Sequence, residues 1–273
     1  NATKIKKEYP KRFINAGIAE ANAMGVACGL SATGLIPFIH TFGVFAGRRI
    51  FDQAFLSAGY SRWSVHVIGT DPGVTAAING ATHMPFEDVA IMRVIPTMTI
   101  FEPCDAWELK KAFPQILAHE DPIYIRLNRR NPLIVHDENY AFELGKADLI
   151  KEGKDVTLIA SGILVEQAIL AAEELAKERI DAEVINIHTI KPLDCEAVAA
   201  SAAKTRAVVT AENANVIGGL GSAVCDCLSE KLPTPVKKIG MQDVFGESGS
   251  AAALVAKYGL DAEGVYKSVK AFL

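Results

Sequence analysis

The feature that most constrains this sequence is a regular alternation of short apolar runs with longer helix-like segments. Apolar runs in the first half predict strands at residues 35–39, 63–69, 98–103 and 122–127. The segments between them predict helices at residues 19–32, 46–58 and 106–118, the last with Asp105 as its N-cap. Because the strands are apolar on both faces, they are typical of parallel sheets that helices cover.

A second alternating series occupies the C-terminal half. It predicts strands at residues 155–162, 181–188, 206–213 and 235–240. It predicts helices at residues 163–178, 194–203, 219–231, 251–258 and 262–272. Between the two series, residues 128–154 are polar and interrupted by proline, which predicts a linker with two short strands. We therefore predict an α/β fold with two consecutive parallel-sheet domains, 1–132 and 151–273, joined by a linker at 133–150.

The charge and the cysteine content indicate which classes of partner and which cellular compartment to expect. The formal net charge is −4 and the longest basic tract is KIKK, which disfavours nucleic acid and anionic membranes as partners. No apolar run approaches the roughly 20 residues that span a bilayer, and no signal peptide is recognised. The 5 cysteines are scattered, so we expect a reduced, cytoplasmic protein. The CDC pair at 225–227 lacks zinc-ligand spacing, and we predict no metal ligands in this chain.

Candidate site residues follow the predicted strands, where sites form in parallel α/β sheets. Phe42 and Phe45 come after the strand at 35–39. His83 lies in the loop 70–88, whose length inside a compact domain indicates function or disorder. Arg129 follows the strand at 122–127. A further candidate is Glu20, which is the carboxylate in the small, apolar stretch NAGIAEANAMGVACGL.

Each candidate also has a purely structural explanation. Glu20 could simply be a first-turn acid that the helix dipole favours. Phe42 and Phe45 could be core residues at the start of a helix. His83 could be a turn histidine with satisfied hydrogen bonds, and Arg129 could be a solvated charge at a domain edge. Taken singly, these short patterns are weak signals, and their order along the chain carries more information.

Several longer motifs occur in a fixed order. The first is GIAEANAMGVACGLSATGLIPFIHTF, and the long loop ends in NGATHMPFED. They are followed by RVIPTMTIFEPCDAWEL, HTIKPLD, ENANVIGGLGSAV and FGESG. Together these motifs resemble the transketolase superfamily of thiamine-diphosphate enzymes. The resemblance extends over nearly the whole chain and implies a pyrimidine-binding domain followed by a transketolase C-terminal domain.

The resemblance implies roles for the cofactor-site candidates. Glu20 matches the family's catalytic glutamate, which contacts N1′ of the aminopyrimidine and so helps to activate the thiazolium carbon. Phe42 and Phe45 match aromatic residues that pack on the pyrimidine ring. Arg48 stands at a cofactor-binding position beside that ring, where the family commonly has an aromatic residue.

The resemblance also implies a set of substrate residues. His83 matches a catalytic histidine that meets the sugar's oxygens near the reacting carbon. Arg129 matches an arginine that binds the substrate's phosphate. Asn79 stands where many sugar-transferring members have an aspartate, and Asp71 stands where transketolases often have a histidine. These two departures leave the identities of the donor and acceptor sugars open.

A missing motif predicts a partner. The family holds the cofactor's diphosphate and Mg²⁺ through a GDG motif and a later asparagine in a separate N-terminal domain, and this sequence has no GDG. The glycines of GGLGS (218–222) lack the full dinucleotide-binding spacing, and close helix packing explains them better. We therefore expect thiamine diphosphate and Mg²⁺ to be held by a diphosphate-binding partner subunit. The chain would then be a subunit, or a fragment, of a transketolase that also forms a homodimer through this chain.

The predicted activity is transfer of a two-carbon ketol unit from a ketose phosphate to an aldose phosphate, as in the pentose phosphate pathway. A half of a 1-deoxyxylulose-5-phosphate synthase or the β subunit of a 2-oxoacid dehydrogenase remains an alternative, because both share the two-domain layout. A non-catalytic partner-binding module is an alternative from another class. A scaffold, however, has no reason to assemble Glu20, Phe42, Phe45 and His83.

Overall fold

The computed structural model describes residues 2–128 and 133–273, which form two sheets of five strands each. The strands are β1 (Phe38–Phe42), β2 (His66–Thr70), β3 (Thr99–Phe101), β4 (Ile123–Leu127), β5 (Asp148–Lys151), β6 (Val156–Ala160), β7 (Ala182–Asn186), β8 (Thr189–Lys191), β9 (Val208–Asn215) and β10 (Val236–Met241). The helices are α1 (Ala2–Glu8), α2 (Glu20–Ala32), α3 (Phe51–Gln53), α4 (Asp88–Arg93), α5 (Ala106–Ala118), α6 (Leu164–Lys177), α7 (Cys195–Thr205), α8 (Leu220–Lys231), α9 (Ala251–Lys257) and α10 (Ala262–Phe272).

The first sheet has the strand order β1-β2-β4-β3-β8. Its first four strands pair in parallel, as predicted. The prediction of a wholly parallel sheet built from the first half alone is wrong at one edge. There, β8 pairs antiparallel to β3, and it comes from the C-terminal half of the chain. The two halves therefore share a sheet.

The second sheet has the order β10-β9-β6-β7-β5. The central strands pair in parallel, and β5 pairs antiparallel to β7 at one edge. Strand β5 lies in the region predicted as a linker with two short strands. In the described part of that region it is the one strand found.

Two large apolar cores lie between the sheets and their helices, and a smaller third core packs β3 and β4 against α5. One surrounds the first sheet and extends to residues of α7 and α8. The second surrounds the second sheet and includes Val74, Ala76, Met84 and Phe86 from the loop 70–88. This loop follows a strand of the first sheet but packs into the core of the second, so its position depends on both domains.

Three local predictions need correction. Strand β1 begins at Phe38 rather than at residue 35, because Pro37 has no N–H to donate to a sheet ladder. The predicted helix 46–58 consists of α3 between two wide π-helical turns, Phe45–Arg49 and Ala54–Tyr60. Turns of this kind are frequent beside functional sites. The loop 70–88 contains two 3₁₀ turns, Gly73–Asn79 and Ala81–His83.

No helix within the described ranges is long and apolar enough to cross a membrane.

Candidate active site

Glu20 is the first residue of α2, at the positive end of the helix dipole. Its side chain is 13% exposed and forms an ion pair with Arg49, whose Nη1 lies 3.2 Å from Oε2. Arg49 lies in the π-helical turn that follows β1. The carboxylate is therefore largely buried, and its nearest charged neighbour is a guanidinium.

Three aromatic rings stand beside this ion pair. The ring centroids of Phe42 and Phe45 lie 6.1 Å apart, and His83 lies 5.9 Å from Phe42 and 5.6 Å from Phe45. All three contacts are edge-to-face, and all three side chains are half-buried. The guanidinium of Arg49 stacks on Phe45, 4.0 Å from its centroid, and so connects the rings to Glu20. The structure thus brings together four predicted residues around Arg49, which the sequence reasoning missed.

Arg48 points toward the histidine-bearing loop. Its Nε lies 3.1 Å from Glu87 Oε1, and its Nη2 donates to the carbonyl oxygen of Thr82 at 3.3 Å. The Thr82 hydroxyl in turn lies 2.9 Å from Nδ1 of His83. Arg48 therefore borders the aromatic group on its loop side and is half-exposed to solvent.

The predicted substrate residues Asp71 and Asn79 differ in exposure. Asp71 follows β2, is buried and has a left-handed backbone with φ +56°. Asn79 ends the first 3₁₀ turn of the loop and is exposed. The prediction for Arg129 lies outside the described residues.

A buried charge network behind this loop was missed by the sequence reasoning. Arg126, in β4, is fully buried and donates to Asp88 at 2.8 Å and to Glu102 at 2.7 Å. The hydroxyl of Tyr124 also donates to Asp88 at 2.7 Å, and that of Ser161 donates to Glu102 at 2.8 Å. Burial alone would lower the pKa of Arg126, but the two carboxylates more than offset it and hold that pKa above its ordinary value. The signal was an arginine inside the apolar run PIYIRL.

A second buried cluster lies where α5 meets the second sheet. His136 is held between Asp105 and Asp148, with ring nitrogens 3.1 and 2.7 Å from their Oδ2 atoms. Burial lowers the pKa of His136, but the bond to Asp148 and nearby acids raise it above its ordinary value. Glu108 accepts hydrogen bonds from Cys104 N and Asn186 Nδ2, and burial raises the pKa of Glu108 to about 7.

The second cluster contains atoms of the types that ligate metals. The sets Cys104, Asp105 and His136, and Glu108, His136 and Asp148, each have ligand atoms within 4.8 Å of one another. Asp105 also accepts hydrogen bonds from the backbone N–H groups of Glu108, Val135 and His136. Because these groups already satisfy one another, the cluster is explained as a connection between the α5 end of the first domain and the second sheet.

Comparison with known proteins identifies related families and structures. The family described as transketolase, pyrimidine binding domain, matches residues 1–133, and the family described as transketolase, C-terminal domain, matches residues 145–265. A 6-deoxy-6-sulfo-D-fructose transketolase subunit of Clostridium sp. (strain MSTE9) is 54% identical over 97% of this chain and 82% of its own length. An apulose-4-phosphate transketolase subunit of Phocaeicola vulgatus is 35% identical over 98% of this chain and 86% of its own length.

A solved structure described as a split gene transketolase, inactive beta4 tetramer, has a similar fold. It superposes with a TM-score of 0.92 and 45% sequence identity, covering 100% of this chain and 88% of that one. The fold described above is therefore shared with that structure over the length of this chain.

Proposed function

This chain belongs to the transketolase family, and on that premise we propose that it is the C-terminal subunit of a split, thiamine-diphosphate-dependent transketolase. The proposed domains are the pyrimidine-binding domain, residues 1–132, and the C-terminal domain, residues 151–273, with 133–150 as linker. The relatives described above as subunits support this division of the enzyme between two chains.

The observation that carries the proposal is the arrangement of Arg49 against Phe45 and Glu20. The guanidinium is planar and bears nitrogen; it stacks on the ring of Phe45 and donates to the carboxylate of Glu20. These two contacts, the face of an aromatic ring and a carboxylate that accepts from nitrogen, suit a flat nitrogen heterocycle such as an aminopyrimidine. The residues present therefore fit the ring half of thiamine diphosphate.

Each site residue has a specific task in the proposed reaction. Thiamine diphosphate, when bound, supplies a nucleophilic carbon that takes up the two-carbon unit of the ketose. Glu20 holds a proton at N1′ of the aminopyrimidine, while Phe42 and Phe45 keep the ring in place. His83 donates to, or orients, the sugar oxygens near the reacting carbon, and Arg48 borders the cofactor site.

The proposal includes a second chain. With no GDG in this sequence, the diphosphate and Mg²⁺ are assigned to a diphosphate-binding N-terminal subunit. We also propose a homodimer through this chain and a cytoplasmic location. The other substrate contacts are assigned to Asp71, Asn79 and Arg129, and no metal ligand is assigned here.

The substrates follow from the chemistry that the named relatives share. A ketose phosphate as donor and an aldose phosphate as acceptor is the first candidate. The 54% identity to a 6-deoxy-6-sulfo-D-fructose transketolase subunit favours a second, in which the donor ketose ends in a sulfonate. Both are ketoses with a terminal anion and a two-carbon ketol end.

Reconstitution tests the proposal. The chain is mixed with its diphosphate-binding partner, thiamine diphosphate and Mg²⁺, and supplied with an aldose phosphate. Xylulose 5-phosphate and 6-deoxy-6-sulfo-D-fructose serve as separate donors. Transfer of two carbons from either supports the proposal and identifies the donor. Consumption of pyruvate with glyceraldehyde 3-phosphate would instead support the synthase alternative, and inactivity in every arm would contradict a catalytic role.

A further inference from the structure

The loop that carries the proposed substrate residues has a strained backbone. Asp71 has φ +56° and Ala77 has φ +51°, both in a region that L-residues other than glycine rarely adopt. Such conformations persist only where surrounding contacts hold them, and they cluster at functional sites. The contacts that hold this loop are therefore part of how the site is built.

The turn directly after Asp71 is held by a contact from the C-terminal domain. Asn213, in β9, is fully buried, and its side-chain amide spans the turn after Asp71. Its Nδ2 donates to the carbonyl oxygen of Pro72 at 2.9 Å, and its Oδ1 accepts from the N–H of Val74 at 3.0 Å. Gly73 lies between these two bonds with φ +54°, and a Cβ there would stand 2.1 Å from Oδ1.

The strand that carries Asn213 is shaped for this contact. Along β9 and β10, Ile239 pairs with Ala211 and Met241 pairs with Asn215, so β9 bulges between those pairs. A bulge turns a side chain away from the regular ladder, and bulges recur beside active sites. The backbone oxygen of Asn213 is also fixed, because Nη2 of the buried Arg126 donates to it at 2.8 Å.

The far end of the loop is held from the same side. The N–H of Asn215 donates to the carbonyl oxygen of Phe86 at 2.8 Å. The ring of Phe86 and the side chain of Met84 belong to the core of the second domain. His83 therefore lies on a segment that the C-terminal domain fixes at both ends.

We infer that Asn213 is a positioning residue for the proposed transfer, acting through the turn 72–74 to place Asp71 and the loop that bears His83. This inference rests on the proposed function and assigns the C-terminal domain a part in substrate recognition. Asn213 thus positions the side chains that bind the hydroxyls of the ketose. Its own hydrogen bonds go to the turn 72–74 and not to the residues of the aminopyrimidine site.

Kinetics of the reconstituted enzyme test this role. Asn213→Ala is expected to lower kcat/KM for the ketose by about 10- to 100-fold, since small displacements of positioning groups have effects of that size. The affinity for thiamine diphosphate is expected to stay within about twofold of wild type, because Glu20, Phe42 and Phe45 stand on α2, β1 and the turn after β1 rather than on this loop. Combined with Asp71→Asn, the two losses are expected to be less than multiplicative, as for residues that act through one another.

A matched control separates positioning from loss of stability. Asn186→Ala removes another fully buried asparagine of the same sheet, one whose amide bonds to Glu108 rather than to the loop. When Asn186→Ala is combined with Asp71→Asn, the two losses in kcat/KM are expected to multiply, because the two residues act independently. Gly73→Ala, which pushes the same turn while leaving Asn213 in place, is a second variant and is expected to reproduce the kinetic pattern of Asn213→Ala.

Amide hydrogen exchange of the chain provides a readout independent of activity. The N–H of Val74 is expected to lose protection in Asn213→Ala and to keep it in Asn186→Ala. If the wild-type enzyme transfers no sugar but Asn213→Ala loses this protection, the proposed function fails, while the hold of Asn213 on the turn 72–74 is supported. If Asn213→Ala matches Asn186→Ala in exchange at Val74 and in its coupling to Asp71→Asn, the inference is overturned.

Discussion

Glu20 and Arg49 show how a site can be preformed and still open to a ligand. The ion pair is open to solvent on the Arg49 side, where the side chain is 50% exposed, and pairs that solvent reaches contribute only about 0–1 kcal/mol. A heterocycle that stacks on Phe45 and bonds to Glu20 can therefore displace the guanidinium at little cost. The backbone of Glu20 is fixed as the first residue of α2, which keeps its carboxylate near Phe45.

The first prediction concerns Glu20→Gln. The change is nearly isosteric, and the amide oxygen can still accept from Arg49, so we expect the melting temperature to stay near that of wild type. Turnover of the reconstituted enzyme is expected to fall by about 10²- to 10⁴-fold, the usual contribution of an acid–base group. Steady-state rates beside thermal melts measure both effects.

The control for Glu20→Gln is Glu263→Gln. Glu263 is also a first-turn acid with an ion-pair partner, Lys267, but it lies at the start of α10. It is expected to keep full turnover. Wild-type turnover in Glu20→Gln would refute its assignment as the activating acid.

The second prediction concerns the buried Glu108. Its pKa is about 7 in the folded protein, against 4.5 ordinarily, because burial disfavours the charged form. Below pH 4.5 both folded and unfolded chains hold the proton. As the pH rises from about 4.5 to about 7, the unfolded chain releases its proton first, so the free energy of unfolding falls by at most about 1.4 kcal/mol per pH unit.

Urea unfolding of wild type and Glu108→Gln across that window measures the effect. The stability of wild type relative to the variant is expected to decrease with rising pH. His136 faces the same cluster and acts in the same direction. The bond to Asp148, which both proteins keep, raises its pKa most, and the charge of Glu108 raises it further, so the variant also loses that smaller part. Stability curves that run parallel from pH 4.5 to pH 7 would contradict the assigned environment of Glu108.

At the scale of elements, the start of α8 depends on glycine. Glu212 accepts from the N–H groups of Leu220 at 2.7 Å and Gly221 at 2.8 Å, which caps the helix from the preceding strand. A Cβ at Gly219 would stand 1.9 Å from Glu212 Oε2. The glycine pattern GGLGS is thereby explained by close packing, as the sequence predicted.

The third prediction follows from that contact. Gly219→Ala is expected to lower the free energy of unfolding by about 1–3 kcal/mol, the usual cost of overpacking. Gly29→Ala, in α2, is the matched control, because a Cβ there meets nothing within 4 Å and alanine favours the helix. Thermal or urea unfolding should rank Gly29→Ala at or above wild type and Gly219→Ala below it. The reverse order would exclude the packing explanation.

Elements with a strong local signal could be predicted, and those that depend on distant partners could not. The helix α5 and its cap Asp105 were confirmed, because periodicity and an N-cap residue act within one turn. The strand β8 was missed, since three residues gain their strand geometry only by pairing with β3. The role of Arg126 was missed for the same reason: its partners Asp88 and Glu102 lie far along the chain.

At the scale of the whole molecule, the two domains are joined along one edge of the first sheet and at the loops that follow its strands. Strand β8 completes that sheet, Arg126 bonds to both domains, and Asn213 holds the loop after β2. The sequence identified the residues of the aromatic group through a family resemblance. It could not show that the loop with His83 rests on the C-terminal domain, because no local pattern marks a contact between residues 72–74 and Asn213.

The division of the proposed site between two subunits determines how tightly the isolated chain can bind thiamine diphosphate. Its described residues offer a ring face at Phe45 and a carboxylate at Glu20, but the proposed diphosphate contacts belong to another subunit. Charge-assisted hydrogen bonds contribute about 1.5–3 kcal/mol each. Loss of two or more of them therefore weakens binding by about 100-fold or more.

The fourth prediction is that thiamine diphosphate with Mg²⁺ binds the isolated chain at least about 100-fold more weakly than the reconstituted enzyme. Titration calorimetry of the chain, the partner and their mixture measures this difference. Glu20→Ala should weaken binding in the mixture, whereas Glu263→Ala should leave it unchanged. Tight binding by the isolated chain would show that this chain holds the diphosphate itself. The assignment of the diphosphate to a partner subunit would then be wrong, even if Glu20 proved essential.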